Sequence, residues 1–152
     1  MEIERKFLIE KAKLPENLEE FARHEIEQGY LCTEPVVRIR REDESYYLTY
    51  KSKGLLAREE YNLPLNREAY LHLKPKADGI VIVKTRYRIP ERDGLTIELD
   101  VFHGDYEGLL LAEVEFPSEE AANAYEPPAW FGEDVTYSSR YHNSTLSKGI
   151  QP

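Results

Sequence analysis

The sequence predicts a mainly β domain with peripheral helices, an α+β arrangement built on an antiparallel sandwich or barrel. Three observations predict it. Eight strand-like segments follow one another, seven of them alternating apolar and charged residues with period two, turn signals separate several, and helical start signals are few. The 152 residues suit one domain spanning 1–152, with no long linker, low-complexity tract or fixed-period repeat. Tyr, Leu, Ile and Val are plentiful beside the charges, which excludes wholesale disorder.

The expected strands are 2–10, 24–33, 35–43, 45–53, 58–64, 80–90, 95–102 and 109–116. Turns are expected at Glu42-Asp43-Glu44, Lys53-Gly54, Asp78-Gly79 and Asp93-Gly94. Helices are expected over 15–22, 66–75 and 118–125. Asn66 can cap the second, and Ser118 followed by Glu119 and Glu120 makes an N-cap and first turn for the third. The tail from Pro127 begins irregularly and is expected to end in a short helix near 141–148, with Trp130 as its anchor.

A strand sends alternate side chains to opposite faces. In the first strand Glu2, Glu4 and Lys6 oppose Ile3, Arg5, Phe7 and Ile9. Further along, Arg38 and Arg40 oppose Val37 and Ile39, and Thr49, Lys51 and Lys53 oppose Leu48 and Tyr50. Arg58 and Glu60 oppose Tyr61 and Leu63, and Lys84, Arg86 and Arg88 oppose Val83, Tyr87 and Ile89. Glu98 and Asp100 oppose Ile97, Leu99 and Val101, while Glu113 and Glu115 oppose Ala112, Val114 and Phe116. One such strand reads as solvent outside and core inside. Seven in one small domain, with signs in blocks where a solvated surface intersperses them, favour the reverse: a closed sheet with its charges inward. Sequence alone leaves both arrangements open. An inward ionic face implies a water-filled binding site, because stripping water from unpaired charges is expensive. Arg and Lys recognise phosphate oxygens, and clustered carboxylates bind Mg²⁺ or Mn²⁺. Together they suit a metal-bound polyphosphate.

The net charge of −9 argues against an extended nucleic-acid groove, though not against a local basic pocket. Cys32 is the sole cysteine, so an internal disulfide is excluded and a small buried hydrophobe is expected there. The charged start lacks a signal-peptide stretch and no apolar run can cross a bilayer, so no membrane association is expected and the compartment is read as the cytoplasm. No P-loop motif is present. His24, His72, His103 and His142 lack metal-ligand spacing and are read as surface or packing residues, and Tyr30 is read equally as a packing or a site residue.

Glu2-Ile3-Glu4-Arg5-Lys6 matches the Glu-x-Glu-x-Lys signature of the CYTH family, the triphosphate tunnel metalloenzymes. Gln28-Gly29-Tyr30-Leu31, Arg38-Ile39-Arg40, Lys51-Ser52-Lys53 and Arg58-Glu59-Glu60 follow in the matching order. So do Lys84-Thr85-Arg86-Tyr87, Glu98-Leu99-Asp100, Glu113-Val114-Glu115-Phe116, Asp134-Val135-Thr136 and Arg140-Tyr141-His142-Asn143. The resemblance covers essentially the whole chain. It implies an eight-stranded antiparallel barrel open as a tunnel. It also implies an activity on triphosphates: inorganic triphosphatase first, with class IV adenylate cyclase, thiamine triphosphatase and a non-catalytic polyphosphate binder as alternatives. One departure is Asn62, where many relatives place a second inward acid after Glu60.

On this reading Glu2, Glu4, Asp100, Glu113 and Glu115 are the expected ligands for Mg²⁺ or Mn²⁺, with Glu60 next. Arg38, Arg40, Lys51, Lys53, Lys84 and Arg86 are expected to hold a small-molecule triphosphate. Lys6, Arg58, Lys84 and Glu60 are the candidate catalytic groups, and Arg88 a mouth residue. Lys84→Ala is expected to lower turnover with the fold intact. The sequence assigns no oligomeric state.

Overall fold

Nine strands carry the fold in the computed structural model, which describes residues 1–152. They are β1 (Glu2–Leu8), β2 (Ala22–Thr33), β3 (Val36–Glu42), β4 (Ser45–Lys51), β5 (Ala57–Arg58), β6 (Glu60–Leu65), β7 (Asp78–Pro90), β8 (Thr96–His103) and β9 (Leu110–Glu115). Every pairing is antiparallel, in the order β5-β1-β9-β8-β7-β2-β3-β4-β6. The two outermost strands, β5 and β6, are separated in the chain only by Glu59. They are two halves of the single strand expected over 58–64, one half on β1 and the other on β4, so the sheet closes into a barrel.

Closure is completed by the tail. Only Glu2 and Ile3 of β1 pair with β5. The rest of that edge bonds to the chain after Phe131: Leu8 N donates to Glu133 O at 2.9 Å, Gly132 N to Leu8 O at 2.8 Å and Val135 N to Lys6 O at 2.8 Å. An unpaired buried strand edge would forfeit those bonds, so this tail segment acts as part of the wall.

Three short helices decorate the barrel: α1 (Arg67–Leu73), α2 (Glu119–Ala124) and α3 (Asn143–Leu146). Asn66 Oδ1 accepts from Ala69 N at 2.7 Å and Ser118 Oγ from Ala121 N at 3.0 Å, the two caps expected from sequence. The helix expected over 15–22 does not form. Leu18–Glu20 makes a single 3₁₀ turn, and Ala22 already pairs with Arg88 in β2–β7. Strand pairing captures the end of a segment too short to hold a helix against it. No helix is long and apolar enough to cross a membrane.

The inverted face pattern is what the structure shows. Ile3, Phe7, Leu99, Ala112 and Val114 face out of the barrel and pack under α2 and the following chain, against Ala122, Tyr125 and Phe131. Complete burial of a side chain such as Leu99 contributes roughly 1.5–3 kcal/mol. Inside, the ionic rows run out toward one end. Ile82, Phe102 and Leu111 continue the rows of Lys84, Asp100 and Glu113 by period two, and the tail fills that end with Val135, Tyr141 and Leu146. Gly79 (φ +66°) admits the tail there, since a Cβ would lie 2.0 Å from Ser147 O.

Candidate active site

The remaining interior is a polar cavity of about 570 Å³, partly continuous with solvent, with two hydrophobic residues among the fifteen that line it. Strand tilt brings β1, β3, β4, β6, β7 and β9 to the same space. Ten of the expected site residues line it: the acids Glu2, Glu4, Glu60 and Glu113, and the cations Lys6, Arg38, Arg40, Lys51, Arg58 and Arg86.

Opposite charges are threaded together. Lys51 Nζ lies 3.0 Å from both oxygens of Glu2 and 3.5 Å from Glu60, and Arg58 Nε lies 3.3 Å from Glu2. Lys6 Nζ lies 3.7 Å from Glu113 and donates to Tyr141 O at 3.2 Å. Arg40 Nε donates to Gln28 Oε1 at 2.8 Å, and Arg38 Nη2 to Thr49 Oγ1 at 3.3 Å. Two groups escape this pairing. Arg38 Nε is buried with no hydrogen-bond partner. Glu4 has no cation within ion-pair distance, unlike Glu2, Glu60 and Glu113.

Ionisation follows the same division. Burial, then Glu113 and Glu2, pushes the Glu4 carboxyl up to about 8. Burial also raises Glu2 against the pull of Lys51. Burial works against the ionised form of Glu60, but its bonds to Glu2 and Asn62 and the charge of Lys51 hold it at about 2. Glu113 resists its burial through Lys6, Arg86 and Lys84, and stays well below the carboxylate range. Burial beside Arg38 and Arg86 lowers Arg40 to about 10.

Four expected residues sit elsewhere. Lys84 and Asp100 are fully buried behind the lining. Asp100 accepts from Arg86 Nε at 2.7 Å and Nη2 at 2.9 Å, and Lys84 Nζ lies 2.8 Å from its Oδ2 and 3.1 Å from Asn143 Oδ1. Both oxygens of Asp100 accept from cations, so it anchors Arg86 and Lys84, and it is not among the residues that line the cavity. Lys84 also sits 5.3 Å from the Phe102 ring centroid, at the boundary with the apolar end, and burial, opposed by Asp100, lowers its ammonium to about 7. Its removal strips a buried carboxylate of a partner, which corrects the expectation of an undisturbed fold. Lys53 is 80% exposed and pairs with Glu34 at 3.1 Å, because β4 ends at Lys51 and the alternation stops there. Glu115 follows Glu113 on the same face but is exposed beyond the cavity, where burial and the nearby Glu2 and Glu60 raise its carboxyl.

The cavity includes residues that alternation did not single out. Tyr30, left open between two roles, lines it, as do Val36, His142, Asn143 and Ser144. His142, expected at the surface or in packing, is turned inward, and burial beside Lys6 and Arg58 lowers its imidazole to about 4. Gln28 and Thr49 stand in the rows of Tyr30 and Lys51, and in the tail the signal is the Arg140-Tyr141-His142-Asn143 resemblance.

No three Asp, Glu, His or Cys groups converge as a ready-made metal cage. The donor set still fits a hard divalent ion. Mg²⁺ is usually held by one or two carboxylates together with substrate phosphates and water. Glu4, beside Glu2 and Glu113, supplies carboxylate oxygen without a competing cation.

A profile of the CYTH domain matches residues 1–149. The chain belongs to the CYTH domain family. It is 43% identical over 152 residues to an inorganic triphosphatase of Nitrosomonas europaea, covering 98% of each chain. It is 40% identical over 126 residues to an inorganic triphosphatase of Acetivibrio thermocellus, covering 80% of this chain and 78% of that one. Among solved structures, the inorganic triphosphatase NE1496 superposes with a TM-score of 0.73 at 39% identity, covering 100% of this chain and 97% of the other. The CYTH barrel is thus closed here by a strand broken at Glu59, which turns the expected eight strands into nine.

Proposed function

We infer that this CYTH chain is a divalent-metal-dependent hydrolase that splits inorganic triphosphate into pyrophosphate and phosphate. The observation that carries the reading is the pair of unsatisfied groups in one buried cavity, Arg38 Nε and the Glu4 carboxylate. A desolvated donor without an acceptor is costly, and a desolvated carboxyl without a cation gives up its proton readily only when a cation arrives. A triphosphate bound together with a divalent ion satisfies both.

Arg38 and Arg40 carry planar forks suited to phosphate oxygens, and Lys6, Lys51, Arg58 and Arg86, whose own fork is held by Asp100, add further positive charge. Glu4, with Glu2 and Glu113, would hold the metal. When bound, the metal offsets charge on the phosphate oxygens and on the leaving group. Glu113 stays ionised, and its cation contacts at 3.7 and 3.8 Å are longer than hydrogen bonds. It therefore keeps acceptor capacity to orient a water molecule. The water oxygen bonds to phosphorus, the bridging oxygen departs with the electron pair as pyrophosphate, and the surplus proton passes to phosphate or solvent.

Polarity at the mouths disfavours the nucleotide alternatives. The mouth beside the tail has a single hydrophobic residue, Val36, among fourteen and offers no apolar shelf for adenine or thiamine, and the other has Tyr47 alone among nine. The ionised carboxylate of Glu113 beside Glu4 disfavours a pure polyphosphate sensor, because in an anion site without metal it repels the ligand. Tripolyphosphate, ATP and thiamine triphosphate offered with Mg²⁺ or Mn²⁺, with every product identified, test the reading. Pyrophosphate and phosphate from tripolyphosphate are expected. Cyclic AMP from ATP, or binding without turnover, would overturn it.

A further inference from the structure

We propose that Thr49 and Asn62 are positioning residues for Arg38, joined to it in a hydrogen-bond relay that ends on Glu60 and fixes how the guanidinium meets substrate. The proposal rests on the triphosphatase reading and deepens it by adding two uncharged residues that act through Arg38.

Strand register assembles the relay. Arg38 stands opposite Thr49 across β3–β4, and Thr49 stands opposite Asn62 across β4–β6. Glu60 lies two residues before Asn62 and so on the same face. All four side chains line the mouth away from the tail, and Arg38 and Glu60 line the central cavity as well. Arg38 Nη2 donates to Thr49 Oγ1 at 3.3 Å, Thr49 Oγ1 donates to Asn62 Oδ1 at 2.6 Å, and Asn62 Nδ2 donates to Glu60 Oε1 at 2.9 Å.

The two ends fix the direction of the relay. Arg38 can only donate, and the ionised Glu60 can only accept. Thr49 has one hydroxyl proton; its lone pairs face Arg38, so the proton goes to Asn62. Asn62 then accepts on one atom and donates from another, which suits an amide. Turning that amide over would set Oδ1 against the Glu60 carboxylate, and an Asp there would oppose it with a full charge. Thr49 is 1% exposed, so no open solvent competes for its hydroxyl. With Nη2 tied to this wall, Arg38 Nε stays unpaired in the cavity lining, available to a phosphate oxygen. The relay is not needed to hold β4 to β6, because the backbone ladder already pairs them from Tyr46–Leu65 to Lys51–Glu60. Asn62 itself is exposed, so its substitution disturbs little packing.

The test uses the full chain with Mg²⁺ and tripolyphosphate, as wild type, Asn62→Ala, Asn62→Asp, Thr49→Val, Thr49→Ser, Arg38→Lys and the double variant Arg38→Lys/Asn62→Ala. Asn62→Ala and Thr49→Val are each expected to raise KM about fivefold, the scale of one lost neutral hydrogen bond. Their kcat should stay within about twofold of wild type, since the binding is lost in ground and transition states alike. Thr49→Ser keeps the hydroxyl and should return KM toward the wild-type value. Asn62→Asp should be worse than Asn62→Ala, with the excess shrinking as salt is added. In the Arg38→Lys background Asn62→Ala should add less than about twofold, because the fork it positions is gone. A full Asn62→Ala effect in that background would overturn the proposal, as would an unchanged KM in Asn62→Ala, an Asn62→Asp protein that matches wild type, or a Thr49→Ser protein as impaired as Thr49→Val. Failure of wild type to cleave tripolyphosphate would remove the triphosphatase reading alone; the same comparisons made on tripolyphosphate Kd by calorimetry would then decide the relay.

Discussion

Glu4→Gln gives the most direct view of the central conflict. In the unfolded chain the Glu4 carboxyl titrates near 4.5, and in the folded, metal-free cavity near 8. Between those values the folded protein keeps a proton that the unfolded chain has lost, so stability falls as pH rises across the window and the loss is complete above pH 8. A separation of about 3.5 units at about 1.36 kcal/mol each sets a ceiling near ~5 kcal/mol, reduced by whatever water the cavity admits. For a domain of this size that ceiling corresponds to roughly 10–20 °C in Tm. Glu60, held at about 2, and Glu113, held lower than usual, are already ionised in both states above pH 5 and add no slope there. Thermal unfolding of chelated protein between pH 5 and 9 should therefore show wild type losing Tm relative to Glu4→Gln as pH rises, with the variant the more stable at pH 8.5, while the lowered His142 and Lys84 add the same opposing slope to both proteins. Mg²⁺ should restore wild type far more than the variant. Parallel pH profiles, or equal stabilisation of both proteins by Mg²⁺, would refute the assignment of Glu4 as the unpaired carboxylate that the metal neutralises.

Lys84→Ala should lower the stability read from urea unfolding by roughly 3–5 kcal/mol, since it opens the fully buried contact to Asp100, and an unshifted midpoint would show that the pair is not structural. Arg38→Lys keeps the charge but loses the free Nε donor, so KM for tripolyphosphate should rise about tenfold with little change in Tm, measured by steady-state kinetics. Leu146→Ala should cost about 2–5 kcal/mol by removing a fully buried contact at the filled end of the barrel, seen in a lower denaturant midpoint.

Alternation carried the sequence reading a long way because the barrel interior is ionic. In β1, Glu2, Glu4 and Lys6 share a face with no apolar residue among them, and the structure puts all three on the cavity wall. The same rule identified Arg38 with Arg40 in β3 and Glu113 in β9. What period two conveys is direction and not depth. Lys84 and Asp100 point inward as expected, but Phe102 and Ile82 take over one step further, so these two charges seal the floor. Nor does it announce where a strand stops: Lys53 continues the row of Lys51 on paper, whereas the chain turns away at Gly54 (φ +141°). His142 and Asn143 are outside the reach of alternation for a different reason, and only the Arg140-Tyr141-His142-Asn143 resemblance marks them. They lie outside the strands, and the place of this segment depends on bonds from Lys6 to Tyr141 O and from Lys84 to Asn143, both distant in sequence.

Past Glu4, the neighbours of β1 lie far along the chain: Leu8 faces Leu111, and Phe7 bridges to Asp134. That part of β1 thus has no native strand partner until β9 and the tail are in place. Acquiring them means closing a very long loop, which slows folding in proportion to the remoteness of the contacts. During that interval the Glu-x-Glu-x-Lys strand waits as an open edge, a row of unpaired backbone donors and acceptors.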